Sequence, residues 1–264
     1  MSVATRASAA ASAGAAPRRS ALGQLARVEL KLFLREKVGP VWGIGLPMLL
    51  LVIFGSIPAF KKELPGSGGL TTLDTYVPIL ILLSLGLLSL VAMPLTIVNY
   101  RERGVLRRLR TTPAGPVRVL AAQLIVYLGM AIVTVALIVA VGRLAYGVPL
   151  PRQFGAWLLS LVFAVAALLA MGLFVAAVGP NPRAAGAIGS LLFYPLMFFS
   201  GLWLPIPAMP AVLQHIAHAT PLGAAWEGFQ QAILGHWPPV LGLVAMAAWA
   251  VVFALAAARF FRWD

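Results

Sequence analysis

The chain has 264 residues, of which 61% are apolar and 10% charged, and its formal net charge is +13, with a mean hydropathy of +0.95. A soluble domain carries about 45 to 50% apolar and 25% charged residues, so these figures exclude an ordinary water-soluble globule and point to a membrane protein. Cysteine is absent, which excludes disulfides, thiol catalysis and Cys-ligated metal sites.

Residues 1–19 are rich in Ala and Ser, with Arg6, Arg18 and Arg19 and no acidic residue. They read as a disordered cytoplasmic tail, although an organelle transit peptide shares this composition. Over 20–38 the apolar residues repeat at helical spacing, with Leu22, Leu25, Ala26, Leu32 and Phe33 on one arc and Arg27, Lys31 and Arg35 opposite. The pattern predicts an amphipathic helix lying at a membrane surface. Glu29 and Glu36 fall within its apolar arc, facing either a protein partner, the chain's own basic loop, or the interface by snorkelling.

Six apolar stretches follow within 39–264, near 40–59, 76–98, 119–146, 153–178, 185–205 and 237–258. Each is long enough to cross about 30 Å of hydrocarbon at about 1.5 Å per residue. Pro47, Pro78, Pro94 and Pro195 lie in or near these spans, where neighbouring helices can satisfy the freed carbonyls. With both termini cytoplasmic, 16 of the 20 basic residues lie inside and only Lys61, Lys62, Arg143 and Arg152 outside, as the positive-inside rule requires. The charge is thereby assigned to topology, and nucleic acid is not expected as a partner.

Two segments depart from simple loops. In 99–116 the basic residues Arg101, Arg103, Arg107, Arg108 and Arg110 surround Val105, Leu106 and Leu109, and Pro113, Gly115 and Pro116 end the run. This predicts a short basic amphipathic helix, which either rests on anionic lipid or docks in a groove of another protein. In 198–229 an apolar, aromatic sequence is broken by Pro205, Pro207, Pro210 and Pro221. It predicts two short helices dipping back into the membrane from the outer face, with Trp203 and Trp226 as interfacial anchors.

Tyr100-Arg-Glu-Arg-Gly104 with Leu109-Arg-Thr-Thr-Pro113, and Phe199-Ser-Gly-Leu202 with Leu204-Pro205 and Thr220-Pro-Leu222, stand at matching places in a six-span map. In these motifs the chain from about Ser20 to Arg262 resembles the permease subunits of ABC-2 type exporters, within them the bacterial daunorubicin-resistance type of drug export permease. The resemblance implies an all-α polytopic fold: an N-terminal connecting helix bearing Arg27, Glu29, Lys31, Arg35 and Glu36, a cytoplasmic coupling helix, six spans and outer re-entrant helices. It implies that Arg101, Glu102, Arg103, Gly104, Leu106, Arg107, Arg108, Leu109, Arg110, Thr111, Thr112 and Pro113 meet a separate ATPase, present in two copies, where ATP and Mg would reside. It further implies a second permease copy, identical or similar, and a place in the bacterial plasma membrane. Only Glu227 remains of the charges that many relatives place after the Thr-Pro segment.

The chain has no P-loop of its own, since Lys31, Lys37, Lys61 and Lys62 precede Leu, Val, Lys and Glu rather than Ser or Thr. No nucleotide is therefore expected in it, and because His215, His218 and His236 have no Asp or Glu near them at ligand spacing except Glu227, they read as surface histidines rather than as a metal site. Ser200 with His215 or His218 supplies a minimal nucleophile and base, the alternative being an intramembrane serine protease. An ion-coupled secondary transporter is the other alternative, but such proteins place ionisable residues at mid-membrane, and the six spans hold none there, Arg143 lying near an outer end. The aromatic and Met positions Phe193, Tyr194, Met197, Phe198 and Phe199, with Ser200, Trp203, Pro205 and Pro221, are the candidates for pathway and outer gate. Packing within the bundle or against lipid is the alternative for each.

Overall fold

The computed structural model describes residues 21–35, 41–63, 69–105 and 115–260. The regular structure of these residues is helical apart from one isolated bridge between Glu63 and Thr71. The tail 1–19 lies outside the described residues.

Helix α1 (Ala21–Arg35) lies along α5 (Gly115–Tyr146). Its Phe33 and Glu29 are buried while Arg27, Lys31 and Arg35 are exposed, as its periodicity predicts for the charges. A π-helical segment Val41–Gly45 leads into α2 (Leu46–Ser56). One continuous helix then runs from Thr72 to Glu102 as α3 (Thr72–Gly86), a π-helical turn Leu87–Ala92, and α4 (Met93–Glu102). After α5 come α6 (Phe154–Val178), α7 (Pro182–Phe199), α8 (Ala211–Ala219), α9 (Pro221–Leu234) and α10 (Val240–Phe260).

Among the described residues four helices are long and apolar enough to span a bilayer: Thr72–Glu102, Arg118–Tyr146, Phe154–Val178 and Val240–Phe260. The first is the centre of the body, its most apolar stretch 83% buried, whereas that of Val240–Phe260 is only 17% buried. A helix that is apolar all round and largely uncovered must face lipid or another chain. α10 packs along α6, and α9 lies against both.

The π-helical turn explains how the centre closes. Pro94 has no N–H to offer either Leu90 O, four residues back, or Ser89 O, five back. At those two carbonyls two neighbouring helices approach closely. A Cβ on Gly172 of α6 would stand 2.0 Å from Ser89 O, and one on Gly189 of α7 would stand 2.1 Å from Leu90 O. Only glycine permits this approach, the small-residue packing that membrane helices use in place of a hydrophobic drive.

The fifth apolar stretch ends earlier than the sequence reading of 185–205. α7 stops at Phe199 because Gly201 adopts φ +89° and the chain closes a Schellman cap. Gly201 N–H donates to Phe198 O at 3.1 Å and Leu202 N–H to Met197 O at 3.4 Å.

Candidate functional site

At one end of the body, polar side chains tie α1, α4, α5 and α6 together. The Glu29 carboxyl, only 7% exposed, accepts two hydrogen bonds at Oε2, from the Tyr100 hydroxyl at 2.8 Å and from Gln123 Nε2 at 2.6 Å. Glu29 thus faces its own chain, between α4 and α5. The adjacent Phe33 ring meets Tyr127 edge-on at 5.4 Å, and the Tyr127 hydroxyl pairs with Thr96 Oγ1 at 3.0 Å. Arg101 reaches across to the C-terminus of α6, donating to Ala176 O at 3.3 Å and also to Gly179 O. Those carbonyls lie at the helix end, where intrahelical donors run out and the dipole is negative, so a guanidinium both satisfies and neutralises them.

Beyond this clamp the chain turns. Arg103 N–H donates to Asn99 O and Gly104 N–H to Arg101 O, both at 3.0 Å, with Gly104 at φ +69°. Glu102 and Arg103 are exposed. Glu102 borders an open cavity of about 420 Å³ with Asn181, Pro182 and Arg183, where Asn181 Oδ1 caps α7 by accepting from Ala184 N–H at 2.9 Å. Leu106, Arg107, Arg108, Leu109, Arg110, Thr111, Thr112 and Pro113, like Glu36, lie outside the described residues.

The pathway and gate candidates divide by environment. Phe193 and Met197 are buried in the core, Phe198 and Phe199 are half-buried, and Tyr194 is 59% exposed. Phe193 and Tyr194 touch at 5.5 Å between ring centroids and line a cavity of about 230 Å³ with Trp42, Leu87, Val91 and Ser190. Trp203 and Pro205 are exposed and Pro221 is buried. Thr220 and Pro221 start α9: Thr220 Oγ1 accepts from Gly223 N–H at 3.2 Å and donates to Ala217 O at 2.8 Å, and Pro221 takes the first helical position. Trp226 is buried, not an interfacial anchor, because α9 packs its face against α6 and α10.

Ser200 and the histidines do not form a catalytic pair. The Ser200 hydroxyl is fully buried and donates to Met197 O at 2.8 Å. His215 Nδ1 pairs with Ala211 O at 2.7 Å, and His218 Nδ1 with Glu227 Oε2 at 2.5 Å. Among the described residues no three His, Cys, Asp or Glu side chains come together as a metal site. Tyr100 and Gln123, the partners of Glu29, escape a sequence reading because they lie 71 and 94 residues away. Asp74 could have been found from Thr71-x-x-Asp74, the spacing of a capping box.

Apolar helices of spanning length, joined at one end by buried polar pairs, define an integral membrane protein. The sequence profile of ABC-2 type transporters matches residues 20–234, and the chain belongs to that family. It is also similar to a Bacillus subtilis (strain 168) protein named "Putative transport permease YvfS", with 23% identity over 231 residues covering 86% of this chain and 91% of the relative.

Proposed function

We propose that the chain is the permease subunit of an ATP-driven exporter that moves an amphiphilic or hydrophobic molecule, such as a drug, an antibiotic or a lipid-like compound, out of the cytoplasm or the inner leaflet. Two copies of a separate ATPase chain, which hold ATP and Mg, dock on the segment around 101–113, and a second permease, identical or similar, completes the path. The six spans are carried by 41–56, 72–102, 115–146, 154–178, 182–199 and 240–260, with both termini cytoplasmic in a bacterial plasma membrane.

The observation that carries this reading is the clamp flanking the 106–114 segment. Arg101 binds the end of α6, and Tyr100 and Gln123 bind Glu29 of α1. A displacement applied at 106–114 is therefore delivered to four helices as a rigid-body movement rather than absorbed in a slack loop. The α8 and α9 helices, seated at the other end, form the outer gate.

The test is to replace Arg107, Leu109 and Arg110 together by Ala in the full chain in its native membrane. The expected outcome is loss of a co-purifying P-loop ATPase and of export, with membrane insertion unchanged. Retention of the ATPase by the variant, or its absence from the wild-type complex, overturns the reading.

A further inference from the structure

The end of the body opposite the Arg101 clamp holds a cavity that the transport reading does not use. It measures about 280 Å³ and lies between the start of α3, the C-terminal part of α5, the 148–151 linker, the start of α6 and Ile233 of α9. Its wall is apolar, with Val77, Val139 and Ile233 among its lining, apart from one carboxyl group, that of Asp74.

Asp74 is only 6% exposed. It serves as the third residue of a capping box: its Oδ2 accepts from Thr71 N–H at 2.8 Å, and Thr71 Oγ1 accepts from Asp74 N–H at 3.2 Å. That bond occupies one carboxylate oxygen. Oδ1 accepts no hydrogen bond from any described residue, and a carboxylate held in an apolar wall is costly without a cationic or donor partner. Two aromatic rings stand in the same wall, Phe154 and Trp157, stacked at 6.1 Å with 20° between planes. Trp157 is buried and braced from behind by Phe229 at 5.4 Å, and Gln153 N–H ties the linker to Ala232 O at 3.0 Å. Trp157 and the linker beside it are thus held in place before any ligand arrives.

We propose that this cavity binds a small hydrophobic ammonium ion. A carboxylate supplies the charge-assisted contact, aromatic faces attract an alkylated cation, and the aliphatic wall receives its apolar body. An apolar cavity of about 150 Å³ accommodates benzene, so the volume here suits one ring or two bearing a charged group. A zwitterionic lipid headgroup fits less well, because its phosphate would enter a wall whose sole charged side chain is an acid.

The proposal is independent of the transport reading, because binding is measured on the full-length permease alone, with no ATPase present. Equilibrium dialysis of the chain in an uncharged maltoside detergent against radiolabelled benzyltrimethylammonium should give saturable binding of one ion per chain. Neopentylbenzene, its neutral carbon counterpart, should not compete. Asp74→Asn keeps an oxygen for the Thr71 N–H and should weaken binding at least about tenfold. Val139→Phe leaves Asp74 in place, fills the cavity and should abolish binding, which keeps the test decisive if Asp74→Asn fails to fold. Absence of saturable binding by the wild type, equal binding by a folded Asp74→Asn or by Val139→Phe, or full competition by the neutral compound overturns the proposal.

Discussion

At the Arg101 end, four helices are held by side chains: a buried carboxyl takes two donors from helices distant in sequence, and a guanidinium covers the carbonyls that end α6. At the Thr220 end, α9 is buried in the apolar core, and the polar contacts that shape the short helices are largely local: a Schellman cap at Gly201, an N-cap at Thr220 with Pro221 behind it, and a second Schellman cap at Gly235, where His236 N–H donates to Gln231 O at 2.8 Å. Buried charge fixes which helices move together, because breaking such a contact strands the partners. Caps fix where a helix begins and ends while leaving its neighbours free to shift. In the proposed exporter, driven from the Arg101 end and opened at the Thr220 end, that division would keep the receiving end stiff and the closing end jointed.

The comparison breaks most visibly at Glu29. Glu29→Leu removes the shared acceptor of the Tyr100 hydroxyl and the Gln123 amide inside a protein interior. The expected loss is about 2 to 6 kcal/mol, since each of the two buried donors left without an acceptor costs about 1 to 3 kcal/mol. Glu29→Gln retains an acceptor oxygen and should recover most of that loss. Thermal unfolding of both variants in detergent checks the order. A Glu29→Leu protein as stable as wild type would show that the Arg101 end is held by apolar packing alone.

Much of this contrast was legible in the sequence at the jointed end and little of it at the stiff end. The Thr-Pro and Ser-Gly pairs announce a helix start and a helix stop, because caps are local and use residues within a few positions of one another. Even there, the apolar Leu202 to Leu204 carried the fifth stretch past its Schellman cap, since hydropathy counts side chains and ignores a left-handed glycine. At the stiff end, Glu29 could be placed on its apolar arc, but its partners stand on α4 and α5, and no local periodicity connects positions so far apart. The π-helical turn was equally hidden. It shifts hydrogen-bond register without changing composition, and only its signature at Pro94, beside the glycines of two other helices, betrays it.

A moderate effect is expected at the cap itself. Thr220→Ala removes the Oγ1 that accepts from Gly223 N–H, and an N-cap is worth about 1 kcal/mol. Thr220→Ser keeps the hydroxyl and should behave as wild type. Because the cap is local to the start of α9, Thr220→Ala should lower the unfolding temperature slightly and raise hydrogen exchange at the amides of 222–224, leaving α1 and α4 unaffected. Faster exchange spreading to α1 would join the two ends into one cooperative unit and remove the distinction.

The finest test concerns the contact of His218 with Glu227 at 2.5 Å at the jointed end, an ion pair only when the imidazole is protonated. If this end were held as the other is, the pair would be strongly coupled. Its side chains are 33% and 24% exposed, however, and it bridges two consecutive short helices rather than distant ones. Solvent screening and side-chain entropy at such exposure reduce a close pair to roughly 0.2 to 1 kcal/mol. A double-mutant cycle with His218→Gln and Glu227→Gln, read by unfolding in detergent at fixed ionic strength, should return a coupling in that range that shrinks as salt is added. A salt-insensitive coupling above about 2 kcal/mol, comparable with a desolvated pair, would mean that α8 and α9 are locked by charge. The two short helices could then part only by breaking that contact, and the joint between them would be a latch.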